Sequence, residues 1–243
     1  MSDQRHELVD NLDKYLIGID DVFAFKCREC GKCCRNREDI LLNSRDVYNI
    51  ATVLSMTHRQ VIETYCEVYI GENSRIPVVR LLPKGQNRNC PLLQGDRCII
   101  HARNPALKPT VCALYPVGRV VASEHAPEDM GLGTPYETQY ILNDTRCGSL
   151  KQKQTVRTWL ENFHIPIDDQ FFIEWNKTLF KIVSMVQRYD GKDGVTDKSM
   201  EMLWGAVFQS IYIDYDTSKD FFPQFKANIA KLMGVFDKLE KMF

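Results

Sequence analysis

The chain has 243 residues, 44% hydrophobic and 26% charged, a composition that builds one substantial core or two smaller ones and excludes a wholly disordered chain. Lys plus Arg number 31 against 32 Asp plus Glu, a formal charge of -1, so no chain-wide basic field gathers nucleic acid or anionic lipid. No run approaches the roughly 18 apolar residues of a membrane helix, and the polar start Met1 to Glu7 lacks the apolar core of a secretory signal. The expected setting is therefore the reducing cytoplasm, with neither a membrane nor a nucleic-acid partner.

The pattern predicts a helix from about Asp3 to Leu16, then a cysteine-rich loop. Asn43 to Asp46 offers N-caps to a helix with Val47, Ile50, Ala51 and Leu54 on its apolar face. Thr57-His58-Arg59-Gln60 reads as a capping box that opens a second helix through Val61, Ile62, Tyr65 and Val68. Beyond Gly71 the candidates are strands: Ile76 to Leu81, Arg97 to Ile100, Val117 to Ala122 and Tyr136 to Leu142. They predict a small antiparallel sheet or hairpins around the later cysteines.

The second part reads as helical. Val156, Trp159, Leu160 and Phe163 follow helical spacing up to Pro166; Phe172, Trp175, Leu179, Val183 and Val186 form a longer stripe ended by Asp190-Gly191. Met200 to Ile211 makes a third helix. A last one carries Ser218 as expected cap, Pro223 in its first turn and an apolar stripe from Phe222 to Phe243. That stripe could dock a partner helix, although burial within the chain's own bundle is the commoner fate of such a face. The fold class predicted is α+β: a cysteine-cluster domain over 1–148 with short helices and a small antiparallel sheet, and a mainly helical region over 149–243 packing on it.

The nine cysteines fall at 27, 30, 33, 34, 66, 90, 98, 112 and 147, whereas ten of the twelve Phe and all three Trp lie beyond 150. An odd total cannot pair completely, and closely spaced cysteines in a reducing compartment are more often ligands or catalysts than disulfides. In Cys27-Arg28-Glu29-Cys30-Gly31-Lys32-Cys33-Cys34 the two-residue spacers let a tight turn aim successive thiolates at one centre, and Gly31 permits the bend. Cys90-Pro91, Cys98, Pro109 to Pro116 around Cys112, and Cys147-Gly148 follow.

Setting aside Cys66 as a structural residue on the second helix leaves eight candidate metal ligands: Cys27, Cys30, Cys33, Cys34, Cys90, Cys98, Cys112 and Cys147. Zinc or an iron–sulfur cluster takes four protein ligands, so eight would supply two sites. Adjacent Cys33 and Cys34 converge on one ion only with strain, so they serve different ions or one is not a ligand; His101 is a possible substitute. The run C-x2-C-x2-C with a remote Cys-Pro leans toward an iron–sulfur cluster of the 4Fe–4S type, and zinc is the alternative, since zinc sites usually show separated C-x2-C pairs.

These motifs, Cys27 to Arg35, Ile40 to Asn43, Cys90-Pro91-Leu92-Leu93, Cys98-Ile99-Ile100-His101 and Cys112-Ala113-Leu114-Tyr115-Pro116, resemble in order the YkgJ-type CxxCxxCC cysteine-cluster family over roughly residues 25 to 160. The resemblance implies a zinc- or iron-chelating domain. A similar module occurs in flagellin lysine N-methylases, which makes a protein-modifying transferase acting on a protein substrate one expectation. A non-catalytic metalloprotein, structural, electron-transferring or metal-handling, with a helical partner-binding region is the other. Gly131-Leu132-Gly133 is too short for the Gly-rich turn of a doubly wound methyltransferase, and no Ser/His/Asp or P-loop pattern stands out. Asp168-Asp169 and Asp214-Tyr215-Asp216 read as caps and solvated charges. Arg35, Arg37, Arg45 and Arg59 could bind an anion, a reading weakened by Glu38 and Asp39.

Overall fold

The computed structural model describes residues 14–122, 137–145 and 147–240. The helix expected from Asp3 lies outside these residues except at its end, where Leu16 opens a strand instead. In chain order the elements are β1 (Leu16–Ile17), β2 (Val22–Lys26), β3 (Leu41–Leu42), α1 (Ser44–Leu54), α2 (His58–Tyr65), β4 (Cys66–Ile70) and β5 (Pro77–Leu81). Next come β6 (Leu93–Gln94), β7 (Arg97–Cys98), α3 (Ile99–Arg103), α4 (Thr110–Leu114), β8 (Val117–Ala122), β9 (Glu137–Leu142) and β10 (Ser149–Thr155). Four helices complete the chain: α5 (Val156–Asn162), α6 (Gln170–Tyr189), α7 (Asp197–Phe208), which runs on into a π turn at Gln209–Ile213, and α8 (Phe221–Glu240). The fold is α+β, with small antiparallel sheets ordered β1-β9-β8, β10-β2, β3-β5-β4 and β6-β7, and a helical C-terminal region.

The capping signals act as the sequence predicts. Asn43 accepts from the Asp46 amide at 2.8 Å while the Asp46 carboxylate accepts from the Asn43 amide at 3.1 Å; Thr57 and Gln60 make the same reciprocal pair ahead of α2. The second helix, expected to reach Val68, stops at Tyr65, because Cys66 to Ile70 finds a strand partner in β5, Cys66 opposite Leu81 and Ile70 opposite Pro77. Cys66 is thus a buried strand residue rather than a helix residue. The strand expected over Arg97–Ile100 ends at Cys98: alternation would send Ile99 and Ile100 to opposite faces, and a helical turn buries both in the same core. Ser218 does not cap α8; it donates to Asp216 at 2.7 Å, and the helix begins at Phe221.

Burial divides into two clusters. The larger joins Val47, Ile50, Val61, Val79 and Ile100 to Phe171, Ile182, Val207, Ile211, Phe225 and Phe236. The smaller surrounds Trp159 with Phe23, Phe25, Leu114, Val117, Tyr140 and Leu160, and the indole donates to the Leu114 carbonyl at 2.7 Å. Each cluster draws side chains from both sides of residue 148, so the later helices pack on the cysteine-bearing part. Among the described residues no helix is long and apolar enough to cross a membrane.

His58, 2% exposed and stacked on Tyr215 at 5.3 Å, sets an acid limit on this packing. Burial pulls its pKa down to about 4, so the folded state resists a proton that the unfolded chain takes near 6.5. The stability His58 permits is therefore complete above about 6.5 and declines as pH falls toward 4. Replacing it with Phe keeps the ring stack and is expected to remove about 2 kcal/mol of the stability lost between pH 7.5 and 5, measured by urea denaturation at both pH values. An unchanged pH slope in His58→Phe would sink this assignment.

Candidate metal centre

Three local structures bring the cysteines together. In the first, Gly31 adopts φ +64 and opens the turn Lys32–Cys34; a Cβ here would stand 2.7 Å from the Asp96 carbonyl oxygen, so only glycine lets this loop seat on the β6–β7 turn. Arg35 pairs with Asp96 and donates to the Cys30 carbonyl at 3.2 Å, and Arg97 pairs with Glu29. In the second, the Cys90 amide donates to the Cys34 carbonyl at 2.7 Å, and pairing of Leu93 with Cys98 folds Cys98 back toward it. In the third, β10 pairs with β2, Ser149 opposite Lys26, which returns Cys147 to the neighbourhood of Cys27. Gly148, at φ +83, would place a Cβ 2.3 Å from the Phe25 ring, and this close approach is what the pairing needs.

Cys27, Cys30, Cys33, Cys34, Cys98 and Cys147 line one cavity of about 40 Å³ together with His101 and Lys108. Cys90 and Cys112 do not line that cavity but are close enough to bear electrostatically on Cys33 and Cys34. Cys112 is carried by α4, whose first residue Thr110 is fixed by the buried Asp46 carboxylate; Thr110 donates its amide and its hydroxyl to one oxygen, each at 2.8 Å. Cys66 stands apart in the core beside Cys90, its thiol pushed up to about 12 by burial.

The sulfurs of Cys33 and Cys34 are 3.9 Å apart. Their contact, with the nearby charges of Lys108 and Arg37, lowers the Cys33 pKa to about 6, while Cys34 is pushed far up. Burial raises Cys90 to about 11 and Cys112 to about 12, and raises Cys147 as well. His101 is lowered by burial and by Lys108, and its Nε2 lies 3.6 Å from Glu29. All nine thiols are free. Among the described residues, no three His, Cys, Asp or Glu side chains already stand in a geometry that closes on an ion. The soft all-thiol donor set suits zinc or iron, and a cavity of about 40 Å³ has room for one ion with a water or two.

A family model matches residues 26–148, just over half of the chain: CxxCxxCC, described as a "putative zinc- or iron-chelating domain". The chain belongs to this family. Its matched segment runs from the end of β2 to Gly148 and so contains all nine cysteines and both glycines that hold the loops together. No curated protein and no solved structure matches the chain significantly.

The arginines after the cluster are committed within the chain: Arg37 to Asp39, Arg45 to Asp169 and Arg35 to Asp96. Asp169 caps α6, as expected, but is also buried between Arg45 and Arg119, a setting its sequence neighbours did not announce. Arg119 had a legible signal: strand alternation puts it on the same face as Val117, which is buried.

Gly31→Ala is expected to destabilise the protein by about 1–3 kcal/mol, from left-handed backbone strain and the clash with the β6–β7 turn. It should also lower metal content after purification. Gly234→Ala, in open space on α8, should be neutral or stabilising by up to about 1 kcal/mol. Thermal denaturation and elemental analysis of both variants check this; equal metal content in Gly31→Ala and wild type would contradict it.

Proposed function

We propose that this protein holds an iron–sulfur centre of the 4Fe–4S type through thiolates drawn from Cys27, Cys30, Cys33, Cys34, Cys90, Cys98, Cys112 and Cys147. The observation that carries the reading is the convergence of six of these cysteines, from three separate segments, on one cavity beside Lys108. The C-x2-C-x2-C run and the remote Cys90-Pro91 support iron–sulfur over zinc. Such a group would supply one-electron chemistry or, with an open iron, a Lewis-acid site. This chain's residues would orient the thiolates and hold them against burial: Gly31 by the turn it permits, Asp46 by fixing Thr110, and Lys108 by its charge.

Zinc is the second reading, and the size of the cavity favours it. About 40 Å³ admits a single ion directly, whereas a cluster requires the thiol-bearing loops to spread. His101 at the rim is an available fourth donor for such an ion. The resemblance to flagellin lysine N-methylases extends either reading to a candidate activity, transfer of a methyl group to a protein lysine. An anaerobic assay with labelled S-adenosylmethionine tests it, and no incorporation by metal-loaded protein leaves the non-catalytic role, structural, electron-transferring or metal-handling.

Protein purified without oxygen should be brown, absorb broadly in the visible blue and contain iron with acid-labile sulfide. Colourless protein with stoichiometric zinc would overturn the iron–sulfur reading. Cys30→Ser and Cys98→Ser should lower metal content at least several-fold, whereas Cys66→Ala should cost stability, about 1–2 kcal/mol, and leave metal content intact.

A further inference from the structure

The mouth of the thiol cavity gathers positive charge. The segments 26–35, 96–108 and 147–155, which supply its lining, hold nine Lys and Arg against two acids, Glu29 and Asp96. The chain as a whole has a net charge of -1, so this concentration is local. Both acids are already taken, Asp96 by Arg35 and Glu29 by Arg97. Arg103 is committed as well, donating to the Val53 carbonyl at 3.3 Å. The loop before Cys147 adds one exposed carboxylate, Asp144.

Six cations remain. Lys26, Arg28, Lys32, Lys151 and Lys153 are exposed, and among the described residues none of their side chains has an ion-pair or hydrogen-bond partner. Lys108 is half-buried over the Phe163 ring, at 5.7 Å, and makes no ion pair among the described residues. The fold sets these groups around one opening. Arg28 and Lys108 line the cavity itself, and Lys32 sits in the turn that Gly31 opens, next to Cys33. In the β2–β10 ribbon Lys153 stands opposite Ala24 and Ser149 opposite Lys26. Phe23 and Phe25 are buried on the inner face, so alternation puts Lys26 and Lys153 together on the outer one, which leads into Cys27. Like charges gathered in this way repel one another and oppose the compact state.

We propose that this rim docks a partner protein by a carboxylate-rich face, seating the partner over the mouth of the thiol cavity. Charge complementarity identifies the occupant: exposed Lys and Arg groups without partners make charge-assisted hydrogen bonds to carboxylates, and their joint field steers an acidic surface onto them. Six cations drawn from three segments are more than a small anion can meet at once. A nucleic acid fits less well, because the lining holds no aromatic side chain on which a base could stack. Outside the three segments acids outnumber bases, so a long polyanion leaving the rim would meet repulsion, whereas a compact acidic face touches the rim alone. The inference is independent of which metal the thiols hold.

The test uses the full-length protein, purified without oxygen, and four probes: a plant-type ferredoxin with an acidic surface, the basic cytochrome c, a single-stranded oligonucleotide and phosphatidylserine vesicles. Binding is followed by interferometry at about 50 and about 300 mM salt. The ferredoxin is expected to bind more tightly than the other three at low salt, and to lose about tenfold or more in affinity at the higher salt. Lys26→Glu combined with Lys153→Glu should weaken it about tenfold or more. The same charge change at Lys198→Glu with Lys231→Glu, exposed on α7 and α8, should alter it by less than about twofold. Neither pair should change metal content or circular dichroism, which separates loss of docking from loss of the centre. No ferredoxin binding at low salt, equal weakening by the two pairs, or tighter binding of the oligonucleotide or the vesicles would each overturn the proposal. The wild-type ranking of the probes is decisive by itself, so a variant that failed to fold would not rescue it.

Discussion

The amide of Cys90 donates to the carbonyl of Cys34 over 2.7 Å, and this join sets the first cysteine loop against the segment that carries Cys90 and Cys98. A buried amide left unpaired costs as much as a lost hydrogen bond, so the contact both satisfies a donor and fixes a register. With Cys34 held there, the left-handed turn at Gly31 has one place to go, against the Asp96 carbonyl, and the ion pairs of Arg35 and Arg97 close around it. Those pairs are partly exposed and worth little each. Their contribution is to direction: they keep Cys27, Cys30 and Cys33 facing the β6–β7 turn where Cys98 resides.

Two buried carboxylates near this assembly show which electrostatic effect wins. Asp46 is fully buried and accepts from Thr110 twice and from Asn43, yet burial still pushes its pKa up. Asp169 is similarly enclosed and burial pushes it up too, but two guanidiniums outweigh that and hold it below the usual carboxylate range. The difference follows from magnitudes. Removing a carboxylate from water costs several kcal/mol, hydrogen bonds from neutral donors return only about 1.5–3 kcal/mol each, and a full opposite charge at about 3 Å returns more. Asp46 is therefore a geometric pin, spending free energy to hold α4 on α1, while Asp169 is an electrostatic one.

Much of this was legible in the residues. Capping boxes at Asn43 and Thr57 need only local chemistry, and both helix starts follow from them. The long helices α6, α7 and α8 announce themselves through apolar periodicity, which burial on a single core requires. What local pattern could not show is pairing at a distance. β2 and β10 are 123 residues apart at their first registered pair, Lys26 and Ser149, and β10 is polar along five successive residues, Lys151 to Thr155, so its partner rather than its composition makes it a strand. Cys66 illustrates the same point: helical spacing carries on past Tyr65, and only the ladder with Leu81 ends it. The cysteine motif was visible because its spacing is itself the signal, whereas the ion pair of Arg119 with Asp169 exists only because the fold brings β8 to the start of α6.

The Cys112 helix and the buried Asp169 are both tied to one turn of helix. Arg45 holds Asp169 at the start of α6, and its neighbour Asp46 holds Thr110, two residues before Cys112. Adjacency of this kind does not by itself couple two sites; coupling needs an element with two arrangements that each site biases differently. The first turn of α1 is the opposite case. It is fixed by its own capping box, by Thr110 and by a two-pronged ion pair, and Val47 and Ile50 behind it are fully buried. An element determined from so many sides sets the positions of Thr110 and Asp169 together. The geometry therefore makes this turn a common support, on which the helix carrying Cys112 and the start of α6 are both built.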